Sequence, residues 1–261
     1  MAPQPLRIAL ESRLRNCRNV TTLGVRPNFS DYSAVEREWI RRAHKIYYPS
    51  TFFADLFDAA GKDTFPSYHN YKCTQDKIRQ TVLFDLLGIP HPRTRVFFGR
   101  RAFERIRRHF DYPFVAKVAR GSAMGRGVFL IRGDAELADY CRRHHPAYIQ
   151  ERIEMDRDIR AVVIGKRLVH AYWRVAPPDD FRTNVSGGGK VLLDPVPEEA
   201  LELALFTAIQ CGFDDVGIDI CRSEGRYLVL EANMKYGREG FRLAGIEYDR
   251  MMETMIENGE I

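Results

Sequence analysis

Polar side chains interrupt two segments in which apolar residues otherwise alternate. Residues 215–221 (DVGIDIC) and 227–233 (YLVLEAN) have the period-two pattern of β-strands. The short link RSEGR between them predicts that the two strands pair as antiparallel neighbours. In that pairing Asp219, Glu231 and Asn233 share one face of the sheet.

These three side chains supply two carboxylates and one amide oxygen, which are hard donors. Mg²⁺ or Mn²⁺ prefers such donors and completes its octahedral shell with water and phosphate oxygens. Gly217, on the same predicted face, leaves room for a ligand. The alternative is a set of partly exposed strand residues, each with an ion-pair partner. That alternative suits a single Asp, whereas Asp219, Glu231 and Asn233 together favour a metal site.

Strands and helices alternate through most of the chain, which predicts an α+β (α/β) fold with a ligand held between two α+β units. The marked elements are a helix from Ser33, a helix over 74–88, a strand over 114–118, a hairpin over 158–176 and a helix over 197–211, with loop signals over 59–73. The 74–88 helix is predicted to have Thr74 as its N-cap. Its expected apolar stripe consists of Ile78, Val82, Leu83, Leu86 and Leu87.

Lys117 lies inside the apolar strand FVAKVA and is followed by a glycine-containing loop, GSAMGRGV. A lysine there either extends to solvent or meets an anion. The glycines, Gly121, Gly125 and Gly127, let backbone N–H groups approach phosphates closely. No G-K-[ST] sequence follows, so this is not a Walker loop. The loop alone is a weak signal, and Lys117 beside it favours a phosphate site.

Two polar segments follow. Residues 148–160 (YIQERIEMDRDIR) read by composition as a charged linker only. Residues 174–190 (RVAPPDDFRTNVSGGGK) contain Arg174, Arg182 and Asn184. Guanidinium groups there could hold a γ-phosphate. A flexible surface loop is the alternative.

Composition narrows the class of protein. The chain has 261 residues, of which 45% are hydrophobic and 29% charged, with a formal net charge of +5. Its five cysteines are widely spaced and indicate neither a disulfide framework nor a zinc site. No apolar run reaches the ~18 residues of a membrane span, and no signal peptide is evident. We therefore expect a cytoplasmic protein. The arginine-rich residues 95–110 are interpreted as a solvated face, since no nucleic-acid motif accompanies them.

Five segments resemble, in order, the signatures of the ATP-grasp superfamily, and within it the RimK-type carboxylate–amine ligases. They are DKIRQTVLFDLLGIPHPRT, FVAKVARGSAMGRGVFLI, YIQERIEMDRDIRAVVIG, RVAPPDDFRTNVSGGG and GIDICRSEGRYLVLEAN. The resemblance covers about 73–257. It implies an ATP-grasp fold, with a short N-terminal α/β region over 1–92, a small subdomain with the glycine-rich loop over 93–152, and a large subdomain with the metal site over 153–261.

The resemblance also implies roles for individual residues. The phosphate site would comprise Lys77, Lys117, Gly121, Ser122, Gly125 and Gly127. The adenine hinge would comprise Gln150, Glu151 and Ile153, with Asp158 near the ribose. Arg160 and Arg174 would face the transferred phosphoryl group, Arg182 and Asn184 would be further nucleotide-site residues, and Asp219, Glu231 and Asn233 would hold Mg²⁺.

The chain departs from the family pattern at three places. Only about 70 residues precede the D-K helix, so the carboxylate substrate is not indicated. The hinge is short, which makes Glu154 or Asp156 alternatives to Asp158. After Asn233 the chain reads MKYGREGF instead of a Ser-Pro-Gly turn. Lys235, Tyr236 and Arg238 are therefore expected to shape a different acceptor pocket.

The predicted function is an ATP- and Mg²⁺-dependent carboxylate–amine ligase that forms an amide through an acylphosphate. Its partners would be ATP, an unidentified carboxylate and an unidentified amine, each a small molecule or a peptide, with no membrane and no specific nucleic acid. A homo-oligomer is left open. The alternatives are a nucleotide-binding regulator without turnover and a kinase of the same fold that phosphorylates a small molecule.

Overall fold

Three β-sheets, each with associated helices, organise the residues that the structure describes. The structure is a computed structural model that describes residues 7–99, 101–122, 127–178, 182–183 and 188–261. We refer to the sheets in chain order as the N-terminal, small and large sheets.

The N-terminal sheet is parallel, with strand order β2-β1-β3-β4. Its strands are β1 (Ile8–Ala9), β2 (Thr21–Thr22), β3 (Lys45–Tyr47) and β4 (Asp63–Phe65), and its helices are α1 (Ala34–Arg42), α2 (Ala54–Ala59) and α3 (Tyr68–Cys73). The predicted capping box begins α1, because Ser33 and Glu36 each accept a backbone N–H of the other, at 3.2 and 2.7 Å. The loop predicted over 59–73 is wrong, since β4 and α3 lie there.

The small sheet is antiparallel, with strand order β5-β8-β6-β7. Its strands are β5 (Thr94–Phe97), β6 (Phe114–Lys117), β7 (Val128–Ile131) and β8 (Ala147–Glu151), and its helices are α5 (Ala102–Arg107) and α6 (Asp134–Arg143). Both helices pack on one face around a core that includes Phe97, Ile106 and Leu137. The opposite face of the sheet carries Lys117.

The large sheet is antiparallel, with strand order β11-β10-β9-β12-β13. Its strands are β9 (Arg157–Ile164), β10 (Arg167–Val175), β11 (Lys190–Leu192), β12 (Asp215–Ser223) and β13 (Arg226–Asn233). The helices beside it are α4 (Lys77–Leu87), α7 (Glu198–Cys211), α8 (Glu239–Leu243) and α9 (Tyr248–Glu257). Ala200, Ala204 and Ala208 let α7 approach one face closely. The other face is polar where the functional residues lie.

Helix α4 differs from its prediction at its start and on its buried face. Its N-cap is Asp76, whose side chain accepts the Arg79 N–H at 3.0 Å, whereas Thr74 ends α3. The predicted apolar stripe is wrong, because Val82 and Leu86 are 50% and 76% exposed. The buried positions are Lys77, Gln80, Thr81 and Phe84. Three of these are polar because this face of α4 packs against the functional site. The helix ends, as predicted, at Gly88 in a left-handed conformation.

The N-terminal sheet is attached to the large sheet through polar contacts at the start of β12. The Ser67 N–H donates to both carboxylate oxygens of Asp214, at 2.8 and 3.1 Å. Asn70 accepts the Asp214 N–H at 3.0 Å and donates to the Asp215 carbonyl at 2.7 Å. Burial raises the pKa of Asp214 to about 6, despite the hydrogen bonds from Ser67.

The expected regional boundaries at residues 93 and 153 remain predictions. In the described part of the chain, no helix combines the length and the hydropathy needed to cross a membrane. The cytoplasmic location also remains a prediction.

We predict that Asp214→Asn changes the pH dependence of folding stability. The folded-state pKa of about 6 lies above the unfolded value of ~3.9. The folded state therefore binds the extra proton, and wild-type stability falls as the pH rises from ~4 to ~6. In urea unfolding, the stability of the variant relative to wild type should rise over this window by about 3 kcal/mol. At higher pH the difference between the two proteins should stay constant. The exposed Asp194→Asn is the control. A pH-independent difference would contradict this assignment.

Candidate functional site

The predicted convergence of Asp219, Glu231 and Asn233 on one sheet face is confirmed. In the pairing of β12 with β13, Asp219 lies opposite Glu231, and Gly217 lies opposite Asn233. Directly opposed residues share a face, and so do residues two apart on one strand. A bulge follows Asp219 and ends the regular alternation there.

Two arginines compensate the carboxylates on this face. In the strand register, Arg174 lies opposite Asp158 and Arg160 lies opposite Asp219. Arg174 Nε donates to Asp158 at 2.8 Å, and both Arg174 Nη2 and Arg160 Nη2 reach Asp219 Oδ2 at 3.0 Å. All four residues are at least 94% buried. We call them the buried ion network.

The network favours the ionised states of Asp219 and Arg174. Burial acts to raise the pKa of Asp219, but the guanidinium groups of Arg160 and Arg174 outweigh it and hold the pKa below its usual range. Burial likewise acts to lower the pKa of Arg174, and Asp158 and Asp219 reverse the effect. Removing one member would leave a buried charge uncompensated, at a cost of about 3–5 kcal/mol.

Two buried lysines lie beside the carboxylates. Lys77 Nζ is 2.9 Å from Glu231 Oε1. Within the described residues, the Lys117 ammonium forms neither a hydrogen bond nor an ion pair, although Lys117 is only 8% exposed. Burial, and then Lys77, lower the pKa of Lys117, whereas Glu231 and Asp219 act to raise it. A buried ammonium without a partner is costly, so this position is suited to an anion.

Helix α4 fixes the strands that carry these groups. Gln80 donates to the Ala232 carbonyl at 2.8 Å and accepts the Ala232 N–H at 3.1 Å. Ala232 lies between Glu231 and Asn233 on the edge strand of the sheet. Helix α4 therefore provides hydrogen-bond partners for the β13 backbone between these two predicted metal ligands. Thr81 of the same helix lies within hydrogen-bond distance of Tyr148 on β8, at 2.7 Å. The helix therefore contacts both the large and the small sheet.

A cleft between the small and large sheets collects most of the predicted side chains. The predicted residues that line it are Lys77, Lys117, Ser122, Gln150, Glu151, Ile153, Asp158, Arg174, Arg182, Asp219, Glu231 and Asn233. Arg160 lies behind the lining and reaches the cleft through Asp219. Gly121 and Gly127 also stand outside the described lining, and Gly125 and Asn184 lie outside the described residues.

The two described glycines of the loop have local structural roles. Gly121 has φ 69° and donates its N–H to the Gln75 carbonyl at 3.0 Å. Gly127 has φ 79°, and a Cβ there would lie 2.6 Å from a Val118 methyl group. A side chain at Gly127 would therefore clash as well as strain the backbone. Their phosphate-binding role stays a prediction.

In the hinge between β8 and β9, the backbone groups of Ile153, Glu154 and Met155 form no hydrogen bond with a described residue. The side chain of Gln150 donates to Thr94 at 2.9 Å, and Glu151 accepts the Arg93 N–H at 2.6 Å. The N–H and C=O of Ile153 form no hydrogen bond with any described residue. A free donor and acceptor beside the cleft match the edge of a nucleobase.

The acid near the ribose remains a prediction. Both carboxylate oxygens of Asp158 are bound by Arg174, which argues against a second role for this side chain. Glu154 and Asp156, the alternatives, are exposed.

The cleft is also lined by apolar residues that the sequence motifs did not indicate. They are Val115, Val128, Met155, Leu230 and Met234. Strand periodicity from Lys117 points to Val115 on the same face, and the register places Val128 opposite Lys117. These residues look like ordinary core positions until the register of β6 and β7 is known. Together they form an apolar wall suited to a flat ring.

The oxygen atoms of Asp219, Glu231 and Asn233 suit a hard cation that is also bound to phosphate. Within the described residues no three His, Cys, Asp or Glu side chains form a metal-binding group. The set instead combines Asp219, Glu231 and the amide Asn233, whose Oδ1 also accepts the Lys235 N–H at 3.0 Å. Because both carboxylates have cationic partners, phosphate oxygens would have to supply further ligands.

A family model described as the RimK-like ATP-grasp domain matches residues 74–256. The chain belongs to this family. The resemblance inferred from the motifs is thereby confirmed, and so is the ATP-grasp fold. ATP-grasp ligases use ATP.

Curated relatives include enzymes whose names contain glutamate. The chain is 34% identical over 191 residues to a probable alpha-L-glutamate ligase of Enterobacter sp. (strain 638), covering 70% of this chain and 63% of the relative. It is 33% identical over 183 residues to beta-citrylglutamate synthase B of Danio rerio, covering 64% of this chain and 45% of the relative. The chain thus spans about half the length of the curated relatives that it matches.

A solved structure of similar fold covers the whole described architecture. It is the ATP-grasp ligase PsnB complexed with minimal precursor, with a TM-score of 0.71 at 16% identity, covering 99% of both chains. At this identity the similarity concerns the fold.

We predict that Lys117→Met weakens ATP binding at least tenfold, or about 1.4 kcal/mol. The variant removes the ammonium that would meet a phosphate. It should not lower the melting temperature, because Lys117 has no described partner to lose. Isothermal titration calorimetry with a non-hydrolysable ATP analogue measures the affinity, and the exposed Lys190→Met is the control. Equal affinities in all three proteins would refute the phosphate role.

We further predict that the metal ion binds together with the nucleotide. Mn²⁺ alone should show little binding by electron paramagnetic resonance, since Lys77 and the two arginines already compensate Glu231 and Asp219. Mn²⁺ should strengthen binding of the ATP analogue, and Glu231→Gln should reduce that strengthening at least tenfold. The exposed Glu202→Gln is the control. Tight binding of Mn²⁺ without nucleotide would contradict this arrangement.

Proposed function

We propose that this chain is an ATP-dependent ligase that joins a carboxylate to an amine through an acylphosphate. One observation carries the proposal. The buried ammonium of Lys117 has no partner in the described part of the chain and lines the same cleft as Asp219, Glu231 and Asn233. This combination suits a triphosphate with its metal ion. Membership in the RimK-like ATP-grasp family supports it.

The cleft suggests how ATP is oriented. The free N–H and C=O of Ile153 would pair with the adenine edge, and the apolar wall that includes Val115 and Leu230 would contact its faces. The phosphates would then extend toward Lys117 and Lys77. This direction brings the γ-phosphoryl group near the polar face of the large sheet.

The metal site would contribute charge compensation. Asp219, Glu231 and Asn233 would hold Mg²⁺, which would supply positive charge opposite the transferred group. Arg174 lines the cleft and touches Asp219. Its guanidinium keeps Asp219 ionised and stands beside the phosphoryl group, which is the role proposed for it. Arg160 acts from behind as a positioning residue.

The proposed reaction proceeds in two transfers. A carboxylate oxygen attacks the γ-phosphorus, and the bond from that phosphorus to the bridging oxygen of ADP breaks. The amine then attacks the acylphosphate carbon, phosphate leaves, and the amine loses a proton as the amide forms. No protein nucleophile takes part. The chain aligns the reactants and excludes water that would hydrolyse the acylphosphate.

Names of relatives suggest a substrate class. Two are a glutamate ligase and a citrylglutamate synthase, and the solved neighbour is a ligase complexed with a precursor. We therefore propose glutamate, or a peptide carrying it, as the first substrate to test. We also propose that Mg²⁺ is the native ion and that the chain binds both substrates. A homo-oligomer is proposed as a possible assembly.

We predict that ADP and phosphate appear only when a suitable carboxylate and an amine are both present. Mass spectrometry of a substrate panel that includes L-glutamate should detect one amide per ADP. Lys117→Met should reduce kcat/KM more than 100-fold, or about 2.7 kcal/mol, and Lys190→Met should not.

The alternatives give different products in the same assay. A kinase would yield a phosphorylated compound without an amine. A nucleotide-binding regulator would bind ATP tightly and yield no ADP with any pair. Either outcome would refute the ligase proposal.

A further inference from the structure

Four guanidinium groups lie close together on an exposed surface beside the small sheet. They belong to Arg93, Arg95, Arg105 and Arg108, and all four residues are exposed. Arg93 precedes β5 and Arg95 lies within it, whereas Arg105 is in α5 and Arg108 follows that helix. We call these residues the arginine cluster.

His109 marks the centre of the arginine cluster. Arg95 Nη1 lies 3.3 Å from His109 Nδ1, and Arg93 Nη1 donates to the His109 carbonyl at 2.7 Å. Desolvation, and then all four guanidinium groups of the cluster, lower the pKa of His109. The positive charges therefore converge on one place, where they disfavour a further cation.

The arginine cluster contains more guanidinium groups than carboxylate partners. Arg93 Nε lies 3.8 Å from Glu151 Oε2. In the described part of the chain, the other three arginines have no ion-pair partner. Arg242 is different, because its Nη2 lies 2.6 Å from Glu239 Oε1. Neighbouring like charges repel one another, and a bound anion would relieve that repulsion.

Neutral groups hold two of the unpaired arginines in place. Arg105 Nη1 donates to the Phe98 carbonyl at 3.1 Å. The guanidinium groups of Arg95 and Arg105 each lie 5.7 Å from the centre of the Phe97 ring. Each guanidinium group has five N–H donors, so both retain donors for an anion. Phe98 is 59% exposed, and the same surface therefore presents an aromatic ring.

The arginine cluster lies away from the nucleotide cleft. Strand β5 is the outermost strand of the small sheet. Arg95 shares a face of that strand with Phe97, which belongs to the core beneath α5 and α6. Lys117 lies on the opposite face, and the described lining of the cleft contains no member of the cluster. A ligand on the cluster would therefore leave the cleft open to ATP.

We propose that the arginine cluster and Phe98 bind single-stranded nucleic acid without regard to its base sequence. The guanidinium groups bind phosphates, and the Phe98 ring stacks on a base. The sequence indicates a solvated face here because no base-reading motif accompanies the arginines, but phosphate binding and stacking need no such motif. An acidic polypeptide would compensate the charge and leave the exposed ring unused. This binding is an activity separate from the ligation proposed above.

Fluorescence anisotropy with a labelled oligouridine of about twelve nucleotides tests the proposal. The protein is first saturated with Mg²⁺ and a non-hydrolysable ATP analogue, so that the nucleotide cleft is occupied. We expect the logarithm of the affinity to fall with the logarithm of the salt concentration with a slope of about −2, as for three phosphate contacts. Replacing Arg95, Arg105 and Arg108 together by Gln should weaken binding at least roughly tenfold and flatten this slope.

A matched control removes three arginines that are paired with carboxylates on other surfaces. Arg41, Arg242 and Arg250 are replaced together by Gln, which lowers the net charge by the same amount. This variant should bind oligouridine as wild type does. Phe98→Ala should weaken binding about fivefold or more without changing the salt slope, because stacking is not ionic. The replaced side chains are all exposed, and equal melting temperatures should show that each variant is folded.

Polyglutamate and an oligodeoxythymidine of the same length complete the assay. The proposal is overturned if neither oligonucleotide binds, if the cluster variant and the control variant lose equal affinity, or if polyglutamate binds as tightly as oligouridine. Binding of either oligonucleotide supports it, and the preferred one identifies RNA or DNA as the source of the strand.

The pKa of His109 locates the bound strand. Phosphates among the guanidinium groups would offset the charge that lowers this pKa. Nuclear magnetic resonance should therefore show the pKa of His109 rising when oligouridine binds. An unchanged pKa would place the strand elsewhere and contradict the proposal. Loss of ligase turnover with every substrate pair would leave this binding unaffected.

Discussion

Charge compensation on the polar face of the large sheet is the constraint on which the site depends. Asp158, Arg160, Arg174 and Asp219 are buried side by side on three adjacent strands, and each has an oppositely charged neighbour. A single charge buried there without a partner would be costly, because it would lose its hydration without compensation. The antiparallel register supplies the partners. The sheet can therefore carry permanent charge at the edge of the cleft.

The same logic extends to the groups that face the ligand. Glu231 is paired with Lys77, whereas Lys117 has no described partner. A triphosphate would compensate the charge of Lys117. Its divalent cation would bind the carboxylates of Glu231 and Asp219, which already have cationic partners. Nucleotide and metal binding are then coupled by electrostatics, since each supplies charge that the other lacks. Helix α4 holds β13 in position for this coupling through the hydrogen bonds of Gln80.

The N-terminal sheet is part of the same arrangement. Asn70 and Ser67 join it to the start of β12, and Arg13 packs on Tyr236 just beyond β13. The strand pair that carries the metal-type ligands thus contacts the N-terminal segment at the end opposite its hairpin turn.

The sequence by itself determined that β12 pairs with β13, because both segments alternate and a short link joins them. The bulge after Asp219, which places this residue opposite Glu231, is a feature of the tertiary structure that the alternation does not contain. It also determined the family, because the motifs and their order can be read directly from the sequence. Tertiary structure decided the buried face of α4, where polar Gln80 is buried and Val82 exposed, since that choice depends on what packs against the helix. It likewise decided the buried ion network. Partners in those contacts are distant in sequence, and no local pattern encodes which distant groups compensate a buried charge.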